Sequence, residues 1–162
     1  MKRGDVRGSL LIEVMVSVSL LVIFSFAIGS FATANDRLVT RAKMESTATD
    51  LARESMEQLY AIKDQDWLAI GNAQPGHYII SEVDNDFVLA PDPSSPAGEL
   101  VEATFTRIIT LEPAYRDGAG NIAGSGTEDQ HTRHILVTVS WVERGAASSV
   151  ELSGYVTDWK GQ

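Results

Sequence analysis

No cysteine occurs in the 162 residues, and that absence removes disulfide staples, thiolate nucleophiles and Cys-ligated zinc together. It leaves the redox compartment open. Basic residues are scarce too: 13 Lys and Arg stand against 22 Asp and Glu, a formal net charge of −9. A nucleic-acid groove needs clustered Lys and Arg, so no nucleic-acid partner is expected. Proline is missing from Met1 through Gly71, so nothing there forces a helix to break before Gly71-Asn72. Between Glu13 and Asp36 there is no charged residue at all. What is present is 44% apolar and 22% charged, a globular balance that argues against wholesale disorder. The length suits one ordinary domain plus an appendage.

The uncharged run is the strongest signal. Val14 to Ala34 slightly exceeds the about 20 helical residues that cross a bilayer core. The leader MKRGDVRG carries Lys2, Arg3 and Arg7 against Asp5, while Arg37, Arg41 and Lys43 follow the run. Counting Lys and Arg alone nearly ties the two sides, and the starting amine tips the N-terminus toward the cytoplasm. Yet Glu13 stands at the head of this run. A charge within hydrocarbon costs about 2.5–3.5 kcal/mol on insertion scales, so it needs a partner or a reason.

Three ordinary readings meet that acid differently. Ala32-Thr33-Ala34 is an A-x-A site, and cleavage after Ala34 by signal peptidase would release a secreted binding module beginning at Asn35. Against this, the run outlasts the usual apolar region of about 7–15 residues in a signal peptide, and it includes Glu13. A plain signal anchor leaves Glu13 unexplained. A buried helix of a soluble core would need a second apolar helix to pack on, and the sequence offers none.

Gly8-Ser9-Leu10-Leu11-Ile12-Glu13-Val14, after a short basic leader and before an apolar helix, resembles the processing site of type IV prepilins. Gly8, Leu11 and Glu13 carry the resemblance and stand in register; Ser9 and Leu10 depart from the commoner Phe and Thr or Ser. The resemblance implies that a membrane-embedded prepilin peptidase cuts after Gly8 and that the new first residue, Ser9, is N-methylated. It also implies a counter-ion for Glu13: the carboxylate of an incoming subunit neutralises the N-terminal amine of the subunit already in place. Leu10, Leu11, Ile12, Glu13 and Val14 then form an assembly segment. Residues four apart share a helix face, so the Ser9 amine and Glu13 could also meet within one chain.

The implied partners are prepilin peptidase, other pilin subunits, and the inner membrane before assembly. The implied location is a single-pass position in the cell membrane, N-terminus in the cytoplasm, followed by an extracellular pilus or a periplasmic pseudopilus. Ala52 to Trp67 is similar to the end of the long helix in minor pilins of the PilV type. Val137 to Trp141 with Val150 to Trp159 is similar to their closing hairpin. The chain is similar in its N-terminus to pseudopilins of type II secretion or DNA-uptake systems as well.

After Ala34 the helix is expected to continue as an amphipathic segment. Leu38, Ala42, Ala48, Leu51, Ser55, Leu59 and Ile62 recur at three and four spacing, with Glu54, Glu57 and Lys63 outside. One helix from Ser9 to about Lys63 would run roughly 80 Å at about 1.5 Å per residue. Beyond Gly71 the pattern turns to β. Gly76 to Val83 and Phe87 to Leu89 read as a hairpin around Asp84-Asn85-Asp86. Ala103 to Leu111 alternates, with Phe105, Ile109 and Leu111 on one face and Arg107 interrupting it. His134 to Val142 has Ile135, Val137, Val139 and Trp141 at period two, and Ser149 to Thr157 returns after Gly145-Ala146-Ala147. Ala90 to Gly98 and Arg116 to Arg133 read as loops, the second too long for a tight hairpin.

No catalytic constellation is expected. His131-Thr132-Arg133-His134 has H-x-x-H spacing, but zinc requires three or four ligands and no third is evident. Asp117, Asn121, Glu128 and Asp129 offer oxygen ligands without the EF-hand spacing, so a glycine-rich turn with solvated acids is the simpler reading. No G-x-S-x-G elbow follows a strand, and Gly118-Ala119-Gly120 lacks the remaining glycine of a phosphate fingerprint. Trp67, Trp141 and Trp159 read as packing residues. Neither cofactor nor metal is expected.

The expected architecture is therefore α+β: a long N-terminal helix packed, in its second half, on an antiparallel sheet of four or five strands. This is the pilin fold in the terms of the resemblance. The expected divisions are a leader at 1–8, a transmembrane and assembly helix at 9–34, its amphipathic continuation at 35–70, and a β head at 71–162.

Overall fold

A computed structural model of the chain describes the backbone of residues 6–93 and 97–159, and their side chains apart from those of residues 6–10 and 32–34. Most of the expected leader lies outside the described residues. So do Ser94, Ser95 and Pro96 of the expected loop, and the side chains of Gly8, Ser9, Leu10, Ala32, Thr33 and Ala34. The chain is α+β and forms two units, Met1–Met44 and Glu45–Gln162.

Helix α1 is Val6–Gln65. It ends close to the expected Lys63, where Asp66 takes an extended conformation at φ −146° and its carboxylate accepts the Leu68 N–H at 2.9 Å. This capping starts a short second helix, α2, Trp67–Gly71. An acid whose side chain accepts a nearby backbone N–H offers the chain an alternative to continuing the helix.

Within the second unit the buried stripe of α1 is Ala48, Leu51, Ala52, Ser55, Met56, Leu59 and Ile62. The expected stripe began at Leu38, but Leu38 is 68% exposed and Ala42 is exposed as well. Three-and-four spacing identifies a face without saying where a partner begins to cover it.

The strands are β1 Gly76–Val83, β2 Asp86–Pro91, β3 Glu99–Val101, β4 Phe105–Arg116, β5 Ile122–Ala123, β6 Thr127–Glu143 and β7 Ala146–Thr157. All pair antiparallel in one seven-stranded sheet of order β2-β1-β4-β6-β7, with β3 and β5 paired to β4 off that path. The expected four or five strands are thus too few. The additions, β3 and β5, span three and two residues, too short to show a period. β1 turns into β2 at Asp84-Asn85, and β6 into β7 at Arg144-Gly145. Both turn residues have positive φ in each case: 53° and 69°, then 52° and 84°. Such a mirror-image turn matches the right-handed twist of its strands.

The expected loop from Arg116 to Arg133 is largely strand. β4 and β6 pair out to Arg116↔Thr127, and their register jumps from Pro113↔Arg133 to Ala114↔Asp129. The jump leaves Gln130, His131 and Thr132 unpaired with β4. The polar extension has no apolar alternation, so periodicity could not find it.

Ile109 and Leu111 of β4 and Ile135, Val137 and Val139 of β6 are fully buried on the helix side. Helix and sheet meet closely at β7: a Cβ built on Gly154 would lie 2.8 Å from Met56 Cε. Trp141 is buried and packs edge-to-face on Phe105, centroids 5.9 Å apart. Trp159, expected to be a packing residue, is instead 68% exposed.

Candidate functional site

The first unit leaves its apolar surface open all around α1. From Leu11 to Phe31 the large apolar side chains range from 50% exposed at Leu20 to 79% at Phe26. Soluble monomers rarely leave more than a few hundred Å² of contiguous apolar surface uncovered. This segment therefore calls for hydrocarbon or other apolar helices around it, and the helix is long and apolar enough to cross a membrane. Three of its hydroxyls are turned back onto the backbone. Ser19, Ser25 and Ser30 donate to the carbonyls of Met15, Leu21 and Phe26 at 2.7, 2.8 and 2.8 Å. A hydroxyl so occupied enters an apolar medium without an unmet donor.

Glu13 is the exception on this surface. It is exposed, and no cation within the described residues lies at ion-pair distance from it. Leu11, Ile12 and Val14 flank it at 64%, 65% and 57% exposure. The backbone of Gly8, Ser9 and Leu10 belongs to the same helix, so Glu13 sits one helical turn beyond Ser9. A carboxylate with apolar neighbours and no counter-ion is costly wherever water is excluded.

In the second unit several charged groups are engaged with one another. His131 lies in the bulge of β6, whereas His134 lies in its regular part opposite Glu112. His134 bonds Glu112 at 3.0 Å and stacks on Tyr155 with centroids 4.7 Å apart, whereas His131 is exposed beside a cleft. Among the described residues no three His, Asp or Glu side chains are grouped to hold a metal ion.

The acids of the expected loop are tied up locally. Asp117 accepts from the backbone and side chain of Asn121 and from the Ala119 N–H, and these bonds, led by the Asn121 backbone, hold its carboxyl below the ordinary value. Asp129 organises the register jump. It accepts from Arg116 Nε at 2.6 Å, from the Thr132 hydroxyl at 2.8 Å and from the His131 N–H at 2.9 Å. Partial burial pushes its carboxyl up, but these donors outweigh the burial and hold it low.

Two features escaped the sequence. Arg107, legible only as an interruption of an apolar face, is buried at 7% exposure, where it pairs with Glu99 and donates to Ser55 Oγ at 3.1 Å. The second is a cleft of about 780 Å³ where α2 meets the ends of β4 and β6, with Trp67, Tyr115, His131 and Arg133 on its walls.

No protein-family model, curated protein or solved structure matches the chain.

Proposed function

We propose that this chain is a structural subunit of a type IV pilus-like filament, of the minor pilin kind. It is anchored in the cell membrane by α1 with its N-terminus in the cytoplasm, cut after Gly8 by a prepilin peptidase, and packed helix to helix into a filament. The sheet unit then has the pilin fold and faces solvent. One observation supports this most: Glu13 is a lone exposed acid on an exposed apolar helix, in prepilin register with Gly8 and Leu11.

The physical argument is a comparison of two environments. In lipid, an ionised Glu13 without a counter-ion is unfavourable. Between packed helices the same carboxylate can meet the amine that cleavage exposes at Ser9 of a neighbour, and a charge-assisted bond contributes about 1.5–3 kcal/mol. That gain exists at one axial offset between helices and vanishes at others, so the acid selects the register. Leu10, Leu11, Ile12 and Val14 supply the apolar contact around the pair, and Ser9 supplies the amine.

Glu13→Gln and Glu13→Ala test the assignment. Both variants should insert into membranes and be cut after Gly8, while their recovery in sheared filaments drops about tenfold or more, the ratio that roughly 1.4 kcal/mol produces. Incorporation at the parental level would remove the register role.

A further inference from the structure

In an antiparallel ladder, alternate pairs exchange both backbone hydrogen bonds, and the residues between them turn their N–H and C=O groups away from the partner strand. The Asp158 N–H donates to the His131 carbonyl at 2.9 Å, one step beyond the Thr132↔Thr157 pair. That bond fixes the phase of the β6–β7 ladder, in which Val156, Gly154, Leu152, Val150 and Ser148 bond to β6. Ala147, Ser149, Glu151, Ser153, Tyr155 and Thr157 then point their backbone groups out of the sheet. No strand pairs with them among the described residues. This edge runs 12 residues, AASSVELSGYVT, with one charge, Glu151, and neither proline nor lysine. Apart from Glu151, the charges and prolines that usually blunt an exposed edge are missing.

The opposite edge is blunted. The Asp92 N–H donates to the His77 carbonyl at 3.0 Å, one step beyond the Tyr78↔Pro91 pair. By the same reasoning Phe87, Leu89 and Pro91 face outward from β2. Pro91 has no N–H to give, and the strand spans only six residues.

We propose that the outer edge of β7 is a docking edge that takes an extended backbone strand from a non-identical neighbouring subunit. The proposal rests on the filament reading above and names the partner's chemistry. An identical copy that offered the outer edge of β2, the far edge of the main strand order, would meet β7 with Pro91, which withholds a donor from that row. The fitting strand has an uninterrupted row of N–H and C=O groups and no acid opposite Glu151; Lys or Arg there is complementary. It would also cover Val150 and Leu152, which the sheet leaves half-exposed at its margin.

Ser153→Pro tests the edge apart from the fold. The Ser153 N–H points outward, so proline there removes no bond to β6, whereas Leu152→Pro removes one and is the unfolding control. Ser153→Pro should keep the parental circular dichroism and cleavage after Gly8, yet lower co-purification with filaments about tenfold or more. Hydrogen exchange of the full chain should be fast at the outward-facing amides of Ala147, Ser149, Glu151, Ser153, Tyr155 and Thr157 in detergent and slow at them in filaments. With no native cysteine, Ser153→Cys carrying a benzophenone maleimide should cross-link within filaments to a different subunit, at a residue in an extended strand. Parental incorporation of Ser153→Pro, unchanged exchange, or a cross-linked homodimer of this chain overturns the proposal. Failure of the filament reading shows separately, as parental chains absent from filaments or lacking Ser9 as first residue.

Discussion

Arg107 of β4 donates through Nη1 to the hydroxyl of Ser55 on α1 at 3.1 Å, while Nη2 pairs with Glu99 of β3. The Ser55 hydroxyl in turn donates to the Leu51 carbonyl at 2.7 Å. One buried guanidinium thus ties the helix, a central strand and a three-residue strand together. Its Nε has no partner among the described residues, so the cluster is only partly satisfied.

That arrangement makes the two ends of the ion pair unequal. Glu99→Ala leaves a buried guanidinium without its counter-charge and should cost about 3 kcal/mol. Arg107→Met replaces the charge with an apolar chain of similar length and should cost less than half as much. Urea midpoints of the two variants check the order.

Asp129 should make the register jump acid-sensitive. Its folded carboxyl titrates below the ordinary carboxylate value, so the folded state holds the ionised form more firmly than the unfolded chain does. Its contribution is therefore complete above the unfolded pKa and is lost as pH falls through the lower, folded one. Asp129→Asn should remove about 1–2 kcal/mol at neutral pH and flatten the loss of stability below about pH 4. Thermal midpoints across pH for parent and variant check this.

Gly126 should not tolerate a side chain. It has φ +147°, and an added Cβ would lie 2.1 Å from the Arg116 carbonyl oxygen. Gly126→Ala should destabilise by about 2 kcal/mol or more. Gly118, with nothing within 4 Å of the added Cβ, should accept alanine within about 0.5 kcal/mol.

Much of the fold was legible because burial imposes a period. Ile135, Val137, Val139 and Trp141 alternate and are all buried, and Leu51, Ser55, Leu59 and Ile62 recur on one helical face that the sheet covers. What escaped was polar. Arg107 is buried where it meets Glu99 on a strand too short to show a period and Ser55 on the helix, 52 residues away. The arms of β4 and β6 beyond Pro113 are held by Asp129 and Arg116 rather than by apolar alternation. The end of α1 fell near the expected Lys63, but the capping by Asp66 that fixes it was not read, although Asp is a known signal for that role. Of the N-terminal site, the apolar run and its single acid could be read directly from the residues, since charge and hydropathy need no partner to be seen. Its counter-ion could not, because the described chain supplies none.

The mass of the mature N-terminal peptide, taken from membranes and from sheared filaments, tests the central claim most directly. A chain that begins at Ser9, with or without a methyl group, is the predicted result. A chain that begins at Asn35, or one that retains Met1 through Gly8 in filaments, would contradict it.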